Sequence, residues 1–478
     1  MKNASSFRRG TKIVCTIGPS TSSPEMIERL IRAGMNVARF NLSHGDLNNH
    51  DSGIRNIRDI SQRLGKNVAI LVDLPGPKYR TGALKNGEVS LKNGATLVLT
   101  TRKVPGDSTL VSVNLPNLPR DVKAGNTILL DDGAMQLVVE EISGTDITCR
   151  VTAGGLLTPG RGLVVPGMRT SGPFVTASLE KGIRFAIEQQ ADFLALSFVS
   201  QPDDIAEVRA VLSKHKKDMF IITKIERGVA VRKFDAILQQ SDGIMVARGD
   251  LGVDIPLERV PLVQKEIIRK CNQAGKPVIT ATEMLESMVN SLRPTRAETT
   301  DVANAIFDGT DAIMLSAETS IGKYPVQTVR MMAKIADEAE KNLPYESMLA
   351  ERGRWLELQT DELISYNACH TALRLNAAAI VAFTKSGSTA GRVSKYRPKM
   401  PILAITPDEA VCRQLVLRWG VHPVRMSDPT VIDELIDMGA ALSRDLGIAR
   451  QGDSIVITAG IPLGVTGTTN LLKVHELP

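Results

Sequence analysis

The sequence predicts an α/β protein that consists of a (β/α)8 TIM barrel, a small all-β lid domain inserted into the barrel, and an open α/β domain at the C-terminal end. Short β-branched runs that end in polar residues recur along the chain, and most begin roughly 25 to 30 residues apart, the length of one βα unit. One step is far longer, and the stretch that fills it has the turn residues of β-hairpins. A last segment repeats the strand and helix pattern after a polar connector.

The length of the chain requires more than one domain. Its 478 residues are 43% hydrophobic, which is enough to bury several cores. We expect the first part of the barrel at residues 1–74, the lid at 75–168, the second part of the barrel at 169–345 and a C-terminal regulatory domain at 346–478.

Eight runs fit the strands of the barrel. Each is apolar in its middle and charged or hydroxylated near its carboxyl end, as expected for a buried parallel strand that opens into an active site. The runs are Lys12 to Ile17, Asn36 to Ser43, Val68 to Asp73, Asp192 to Val199, Phe220 to Glu226, Gly243 to Asp250, Pro277 to Thr282 and Ala312 to Glu318.

The long step between the third and fourth runs predicts the inserted domain. The pairs Asn86-Gly87, Asn93-Gly94 and Asp132-Gly133 are typical of tight hairpin turns. They separate alternating segments such as Thr127 to Leu130 and Gln136 to Val139. We therefore expect a small β domain that covers the catalytic face of the barrel.

The C-terminal segment has the pattern of an open, doubly wound sheet. A helix-like stretch from Ile364 to Leu375 leads into a strand at Ala379 to Phe383, and further strands are predicted at Ile402 to Ile405 and Ser454 to Thr458. The segment Thr384-Lys385-Ser386-Gly387-Ser388-Thr389 lies between a strand and a helix, where backbone amides, hydroxyls and a lysine are able to hold a phosphate. A helix cap with a flexible turn is the alternative reading.

Composition excludes several classes of function. The 58 basic and 52 acidic residues give a net charge of +6, and aromatic residues make up only 4%, which does not predict a nucleic-acid-binding surface. The five cysteines are widely spaced and form no CxxC pair, so neither a disulfide framework nor a zinc site is indicated. No signal peptide or membrane span is recognisable, and we expect a cytoplasmic protein.

The strongest chemical signal lies on two successive predicted strands. Thr223-Lys224-Ile225-Glu226 and Ala247-Arg248-Gly249-Asp250 place a cation and two carboxylates at neighbouring strand ends. Lys224 and Glu226 are two residues apart, so on a strand their side chains face the same side. Carboxylate oxygens without histidine or cysteine favour Mg2+ or Mn2+ over zinc.

Further polar residues end the other strands. Arg39, Asn41 and Ser43 alternate on the second strand and should point into one space, where an arginine is suited to bind phosphate or carboxylate. The remaining polar strand ends are Asp73, Thr282, Ser316 and Glu318. Together they predict an anionic substrate held through a divalent metal. Barrels also fill their interiors with layered ion pairs, and for any single residue that structural role is an equal alternative.

Four segments resemble signatures of the pyruvate kinase family. They are Thr11 to Pro19, Asn36 to Gly45, Met245 to Gly252 and Pro294 to Glu298. The resemblance spans nearly the whole chain and implies a barrel, a β lid inserted after the third strand and a C-terminal regulatory domain, usually assembled as a homotetramer. It implies transfer of the phosphoryl group of phosphoenolpyruvate to ADP, which gives pyruvate and ATP in the last step of glycolysis.

The resemblance also assigns roles to the strand-end residues. Arg39 would bind the phosphate of phosphoenolpyruvate, Lys224 would neutralise the phosphoryl group in transit, and Glu226 and Asp250 would bind Mg2+. The backbone of Gly249 and the hydroxyl of Thr282 would contact the substrate carboxylate. Thr282 and Ser316 are candidates for the relay that protonates the enolate, and the nucleotide side would involve the residues Asn41, His44, Arg80 and Lys181.

The phosphate loop at 384–389 resembles the family's effector site, with Gly464 to Thr468 as its facing loop. The implied effector is a phosphorylated sugar or nucleotide.

The sequence departs from the family pattern at two positions. Many members bind K+ through counterparts of Asn41, Ser43, Asp73 and the carbonyl of Leu74, and those members carry glutamate where this chain has Lys78. The ammonium of Lys78 would replace the monovalent cation, and an exposed loop lysine without such a role is the alternative. The second departure is Glu283, where glutamine is usual.

Two other functions fit part of the sequence. A Mg2+-dependent barrel lyase or aldolase that acts on an enolate would use similar ligands but would need neither the lid nor the C-terminal domain. A non-catalytic sugar-phosphate sensor would need only the loop at 384–389.

Overall fold

The computed structural model describes residues 9–169, 171–463, 465 and 467–478. Its strands form a closed barrel, an inserted β domain and a C-terminal sheet, as predicted.

The first part of the barrel contains β1 (Lys12–Thr16), β2 (Val37–Asn41) and β3 (Ala69–Leu74). The insertion contains β4 (Tyr79–Arg80), β5 (Val89–Leu91), β6 (Thr96–Thr100), β7 (Leu110–Ser112), β8 (Thr127–Leu130), β9 (Met135–Ser143), β10 (Asp146–Ala153), β11 (Gly155–Leu157) and β12 (Gly162–Val164). The second part of the barrel contains β13 (Phe193–Leu196), β14 (Phe220–Ile225), β15 (Gly243–Ala247), β16 (Val278–Ala281) and β17 (Ala312–Leu315). The C-terminal sheet contains β18 (Ala379–Phe383), β19 (Ile402–Thr406), β20 (Val421–Arg425), β21 (Ser454–Gly460) and β22 (Thr469–Glu476).

The barrel closes in the order β1-β17-β16-β15-β14-β13-β3-β2, and every neighbouring pair is parallel. All eight predicted runs are barrel strands, but several extend too far at their carboxyl ends. The sixth strand ends at Ala247 because a helix that contains Asp250 begins at Arg248. The second strand ends at Asn41, which leaves Ser43 in a turn. Asp250 therefore reaches the barrel mouth from a helix, and Ser43 does not continue the side-chain alternation of β2.

Helices alternate with the barrel strands, and their apolar faces pack against the strands in one continuous core. Local capping marks several helix ends: Thr295 and Glu298 form a capping box, for example, and Gly309 ends the same helix in a left-handed conformation. In the described part of the chain, no helix is both long enough and apolar enough to cross a bilayer. The helices are α1 (Pro24–Ala33), α2 (Leu47–Leu64), α3 (Leu118–Asp121), α4 (Ala177–Glu188), α5 (Pro202–Lys214), α6 (Gly228–Arg232), α7 (Phe234–Gln240), α8 (Arg248–Asp254), α9 (Val260–Gln273), α10 (Arg296–Asp308), α11 (Ala317–Ser320), α12 (Pro325–Lys341), α13 (Tyr345–Arg352), α14 (Thr360–Leu375), α15 (Ser388–Lys395), α16 (Glu409–Leu415) and α17 (Ile432–Asp445).

The insertion forms a seven-stranded sheet in the order β4-β12-β8-β9-β10-β6-β7 and a two-stranded sheet of β5 and β11. The sheet is mixed, because β6 and β7 run parallel. β8 and β9 form the predicted hairpin, whose turn residues Asp131, Asp132 and Gly133 all have positive φ angles. The insertion encloses an apolar core of its own, so it is organised as a separate lid.

The C-terminal sheet has the order β20-β19-β18-β21-β22. The three predicted strands are present and parallel, but the sequence analysis missed both edge strands. Pro423 interrupts the pattern of β20, where it is tolerated because β20 is an edge strand. β22 runs antiparallel to β21, and most of its side chains are partly or fully exposed, so it lacks the apolar run of a buried strand.

The barrel and the C-terminal domain share part of their core. Val416 and Leu417, from the C-terminal domain, pack in the same apolar cluster as Val14 of β1. The guanidinium of Arg397 bonds to Asp311, just before β17, with an Nη1 to Oδ1 distance of 2.7 Å. These contacts place the C-terminal domain against the end of the barrel where the strands begin, opposite the predicted catalytic face.

Candidate active site

Three adjacent barrel strands bring the central lysine and its partners together. β14 carries Lys224, β13 leads into Ser197, and β3 carries Asp73. The ammonium of Lys224 lies 3.2 Å from Asp73 Oδ1 and donates to Ser197 Oγ at 2.7 Å. It also lies 2.9 Å from Glu226 Oε1. The prediction that Lys224 and Glu226 face the same side is therefore confirmed, and the ammonium is fixed by three partners.

Arg39 adds a second cation beside the first. It projects from β2, the neighbour of β3, and its Nε and Nη2 lie 2.8 and 2.7 Å from Asp73 Oδ2. Its Nη1 donates to Thr16 Oγ1 at 2.9 Å. Asp73 thus holds Arg39 with one oxygen and Lys224 with the other. Two buried cations are thus held in fixed positions by one buried carboxylate.

Burial and a neighbouring opposite charge shift the pKa values of these groups in opposite directions. Burial alone would raise the pKa of Asp73, but the charges of Lys224 and Arg39 outweigh it and hold that pKa below its usual value. Burial alone would lower the pKa of Lys224, but the carboxylates of Asp73 and Glu226 raise it above its usual value. Burial raises the pKa of Glu226, with Lys224 opposing this and Asp250 adding to it. Lys224 is therefore a permanent cation in the neutral pH range.

Glu226 and Asp250 form the carboxylate pair of the site. Glu226 is almost fully buried, and its Oε2 accepts a hydrogen bond from the backbone N–H of Phe198 at 2.6 Å. Asp250 acts on the pKa of Glu226 as a second negative charge, which a divalent cation between the two would relieve. Among the described residues, no group of three or more His, Cys, Asp or Glu side chains has the geometry of a metal site. A pair of carboxylates fits Mg2+, which takes few protein ligands and completes its shell with water and substrate oxygens.

Thr282 and Gly249 meet where β15 and β16 end. The backbone N–H of Gly249 donates to Thr282 Oγ1 at 2.9 Å, and Thr282 Oγ1 donates to the carbonyl of Ala281 at 2.6 Å. In the part of the chain that the structure describes, a side chain at Gly249 would meet only Thr282 within 4 Å, and at ordinary contact distance. The protein itself therefore leaves space above this glycine, as expected where a ligand approaches the backbone.

Glu318 has a different position from the one predicted for it, whereas Ser316 lies at the end of the eighth strand. Ser316 follows β17, but Glu318 lies in α11 and is fully buried. Its two oxygens accept backbone N–H groups from Ser316 at 2.6 Å and from Leu285 at 3.1 Å. Burial raises the pKa of Glu318. Glu318 therefore fixes the loop that presents Ser316 and is not a strand-end ligand for the substrate.

The comparisons with known proteins cover both the barrel and the C-terminal domain. Residues 8–329 match the family described as "Pyruvate kinase, barrel domain", and residues 362–475 match "Pyruvate kinase, alpha/beta domain". The chain belongs to the pyruvate kinase family. It is therefore a phosphotransferase, and the reaction of the family is phosphoryl transfer from phosphoenolpyruvate to ADP. This membership decides against the lyase and sensor alternatives.

Individual relatives agree with this assignment. The pyruvate kinases of Staphylococcus aureus strains MRSA252 and USA300 are each 47% identical over 469 residues, which cover 98% of this chain and 80% of each relative. Among solved structures, a pyruvate kinase from Cryptosporidium parvum is 37% identical, with a TM-score of 0.94 over 100% of this chain and 98% of that one. The three-part architecture is thus shared with a pyruvate kinase of known structure.

The residues predicted for the nucleotide side lie on three elements. Asn41 and His44 lie in or next to the β2–α2 loop, where Asn41 Oδ1 accepts the N–H of Ser43 at 3.1 Å. Arg80 lies on β4 of the lid and donates to a lid carbonyl, and Lys181 is exposed on α4. The residues predicted for the nucleotide side are therefore split between the barrel and the lid.

Lys78 occupies a position that the sequence analysis did not foresee. Its Nζ lies 2.7 Å from Asp250 Oδ1, 3.6 Å from Asp132 Oδ1 and 5.2 Å from the centre of the Phe198 ring. Asp73, one of the expected K+ ligands, is instead paired with Arg39 and Lys224. In this structure Lys78 thus joins the lid to a predicted metal ligand.

The phosphate loop of the C-terminal domain lines a cavity of about 50 Å³. Thr384 is buried, and its Oγ1 has no hydrogen-bond partner among the described residues. Gly387 caps α15 with a φ of 85°, a left-handed conformation that favours glycine. Of the predicted facing loop, Gly464 and Thr466 lie outside the described residues. The loop thus lines this cavity with hydroxyl side chains and with the N-terminal end of α15.

Sequence reasoning missed Ser197 and gave no role to Arg248. Ser197 was part of a predicted strand run, and a polar residue directly after an apolar strand was the signal that should have selected it. Arg248 was quoted only as part of a motif, although its side chain is only 10% exposed and donates to the carbonyl of Thr282.

Proposed function

We propose that Lys224 and Arg39 hold the phosphoryl group of phosphoenolpyruvate at the mouth of the barrel while it passes to ADP. The observation that supports this is the arrangement of both cations around Asp73, which fixes their positions before substrate arrives. Phosphoryl transfer is catalysed mainly by position and charge, and a preformed pair of cations supplies both.

Glu226 and Asp250 are the residues that would hold Mg2+ or Mn2+. When bound there, the divalent cation supplies positive charge to the substrate oxygens. Glu226 keeps one oxygen on the N–H of Phe198, which orients the carboxylate, and Asp250, which contacts Lys78 in this structure, would provide the second carboxylate.

The carboxylate of phosphoenolpyruvate binds beside the backbone of Gly249 and the hydroxyl of Thr282. Both groups lie together at the ends of β15 and β16, and among the described residues only the Thr282 side chain comes within 4 Å of the space above Gly249. Thr282 and Ser316 then pass a proton, through water, to the enolate that remains. Glu318 supports this step because it holds the N–H of Ser316.

ADP binds between the barrel and the lid, through Asn41, His44, Arg80 and Lys181. Arg80 moves with the lid, so closure of the lid completes the nucleotide side and excludes water from the phosphoryl group. We also propose a homotetramer, which would cover apolar side chains such as Leu257, now 74% exposed. Sedimentation velocity of the purified chain measures this assembly.

The assay that tests the proposal is formation of pyruvate from phosphoenolpyruvate and Mg-ADP, with ATP measured in parallel. Equal amounts of pyruvate and ATP are expected. Release of inorganic phosphate without ATP would contradict transfer to ADP, and absence of both products would contradict the proposal as a whole.

We further propose that Lys78 replaces the K+ that many family members require. Wild-type enzyme should keep its activity when K+ is replaced by a bulky inert cation, because the ammonium of Lys78 already supplies a fixed positive charge beside Asp250. Lys78→Glu should lose at least about 90% of its activity without K+ and recover it with K+, because the glutamate removes the fixed charge. Steady-state kcat in the two salts measures this.

Lys85→Glu is the matched control, since Lys85 is an exposed lid lysine paired with Asp107. It should show no dependence on K+. A Lys78→Glu enzyme that remains fully active without K+ would disprove the role of Lys78.

The C-terminal cavity is proposed to bind a phosphorylated effector at residues 384–389. Thr384→Val keeps the shape of the side chain but removes the orphaned hydroxyl, so it should weaken binding of glucose 6-phosphate or AMP by about tenfold. Titration calorimetry of the full chain measures the affinity for each compound.

Thr148→Val, on β10 of the lid, is the control for a threonine substitution elsewhere and should leave the affinity unchanged. If neither compound binds to the wild-type chain or changes its substrate curve, the effector role of this cavity loses its support.

A further inference from the structure

The turn after β16 has an unusual backbone conformation at the proposed catalytic threonine. Thr282 and Glu283 have φ angles of 68° and 54°, so two successive residues with side chains are left-handed. This conformation is unfavourable for a β-branched residue such as threonine. The surrounding structure must therefore hold the turn in place.

The side chain of Arg248 provides that support. Its Nη2 donates to the carbonyl of Thr282 at 2.7 Å and lies 3.3 Å from the carbonyl of Glu283. One arm of the guanidinium thus binds both left-handed residues through their backbone. The Arg248 side chain is only 10% exposed, so water screens these bonds little.

The other arm of the guanidinium is anchored on α10 and α9. Arg248 Nη1 lies 2.8 and 2.7 Å from the two carboxylate oxygens of Asp301, and 3.4 Å from Gln264 Oε1. A planar guanidinium is able to bind a carboxylate on one side and carbonyls on the other in fixed geometry. The turn is therefore tied to a helix of the barrel wall.

Gly249, the residue next to Arg248, binds the side chain of the same threonine. The N–H of Gly249 donates to Thr282 Oγ1 at 2.9 Å, while Arg248 binds the carbonyl of Thr282. Both the backbone and the hydroxyl of Thr282 are thus oriented by the first two residues of α8. Lateral movement of the turn would break both bonds.

We propose that Arg248 is a positioning residue for the reaction, which fixes the turn that carries Thr282. The inference rests on the proposed role of Thr282, because Arg248 acts through that residue and does not touch the substrate. Lysine does not replace it, since a single ammonium cannot span Asp301 and both carbonyls.

A double-mutant cycle in the full-length enzyme tests this. Thr282→Val should lower kcat by about 100-fold, and Arg248→Met should lower it by at least about tenfold, because misplacement of a reacting group by an ångström has effects of this size. In the Thr282→Val background, Arg248→Met should lower kcat no further, with the KM for phosphoenolpyruvate reported alongside kcat. Arg248→Lys should not restore kcat.

Two further variants keep the result interpretable. Asp301→Asn releases the anchor but leaves the carbonyl bonds, so it should lower kcat less than Arg248→Met and again only when Thr282 is present. Arg58→Met removes another partly buried arginine, paired with Asp192 where β13 begins, and should lower Tm without lowering kcat.

The positioning role would be overturned if Arg248→Met lowered kcat by the same factor in the wild-type and Thr282→Val backgrounds. It would also be overturned if Arg248→Met lowered kcat in neither background. Full activity of Thr282→Val would instead contradict the proposed role of Thr282. That single variant therefore distinguishes failure of the role of Thr282 from failure of the positioning role of Arg248.

Discussion

Replacing Lys224 by methionine is expected to lower kcat for pyruvate formation by about 10³-fold or more. Methionine fills a similar volume but removes the ammonium that faces the phosphoryl group, and one preorganised cation contributes about this much to phosphoryl transfer. The substitution also leaves Asp73 and Glu226 without one of their partners, so we expect a lower Tm. Steady-state assays at saturating phosphoenolpyruvate and Mg-ADP measure kcat, and circular dichroism confirms that the variant is folded.

Lys276→Met is the matched control. Lys276 is partly buried and donates to the carbonyls of Leu238, Gln239 and Ser241 near the start of β15, at the other end of the barrel. Its loss should affect stability but leave kcat within about twofold. A Lys224→Met enzyme that retains more than a tenth of the wild-type kcat would rule out the central role of this cation.

The second large effect is expected from Glu226→Gln, which should raise the Kd for Mn2+ by about 100-fold or more. Glutamine retains an oxygen for the N–H of Phe198, so the loop keeps its conformation, but the negative charge is lost. Electron paramagnetic resonance of free Mn2+ measures the affinity without substrate, so metal binding is separated from turnover.

Glu318→Gln serves as the control, because Glu318 is an equally buried carboxylate whose oxygens accept backbone N–H groups. Its substitution should leave the affinity for Mn2+ unchanged. If Glu226→Gln binds Mn2+ as tightly as the wild type does, the metal must lie elsewhere.

The strands of the barrel were predictable because each combines a buried apolar run with a polar end. Their carboxyl ends were less predictable: Gly243 to Asp250 reads as one strand, yet the helix begins at Arg248, since the strand has already reached the barrel mouth. The edge strands β20 and β22 escaped prediction because an edge strand needs no continuous apolar run.

The side chains of the site were predictable as a set, but their pairing was not. Alternation along a strand shows that Arg39 and Lys224 face the same space as other polar strand ends. It does not show that both bind Asp73, because that depends on the stagger between neighbouring strands. Lys78 illustrates the same limit, since its contact with Asp250 joins residues far apart in sequence that only the folded lid brings together.

The shared core of the barrel and the C-terminal domain has a consequence for the way the molecule comes apart. Val416 and Leu417 pack inside the barrel cluster, and separating the domains would expose them together with the buried pair of Arg397 and Asp311. These two domains therefore constitute one cooperative unfolding unit. The lid, with a core of its own, constitutes a second and smaller unit, so the three domains should melt in two transitions.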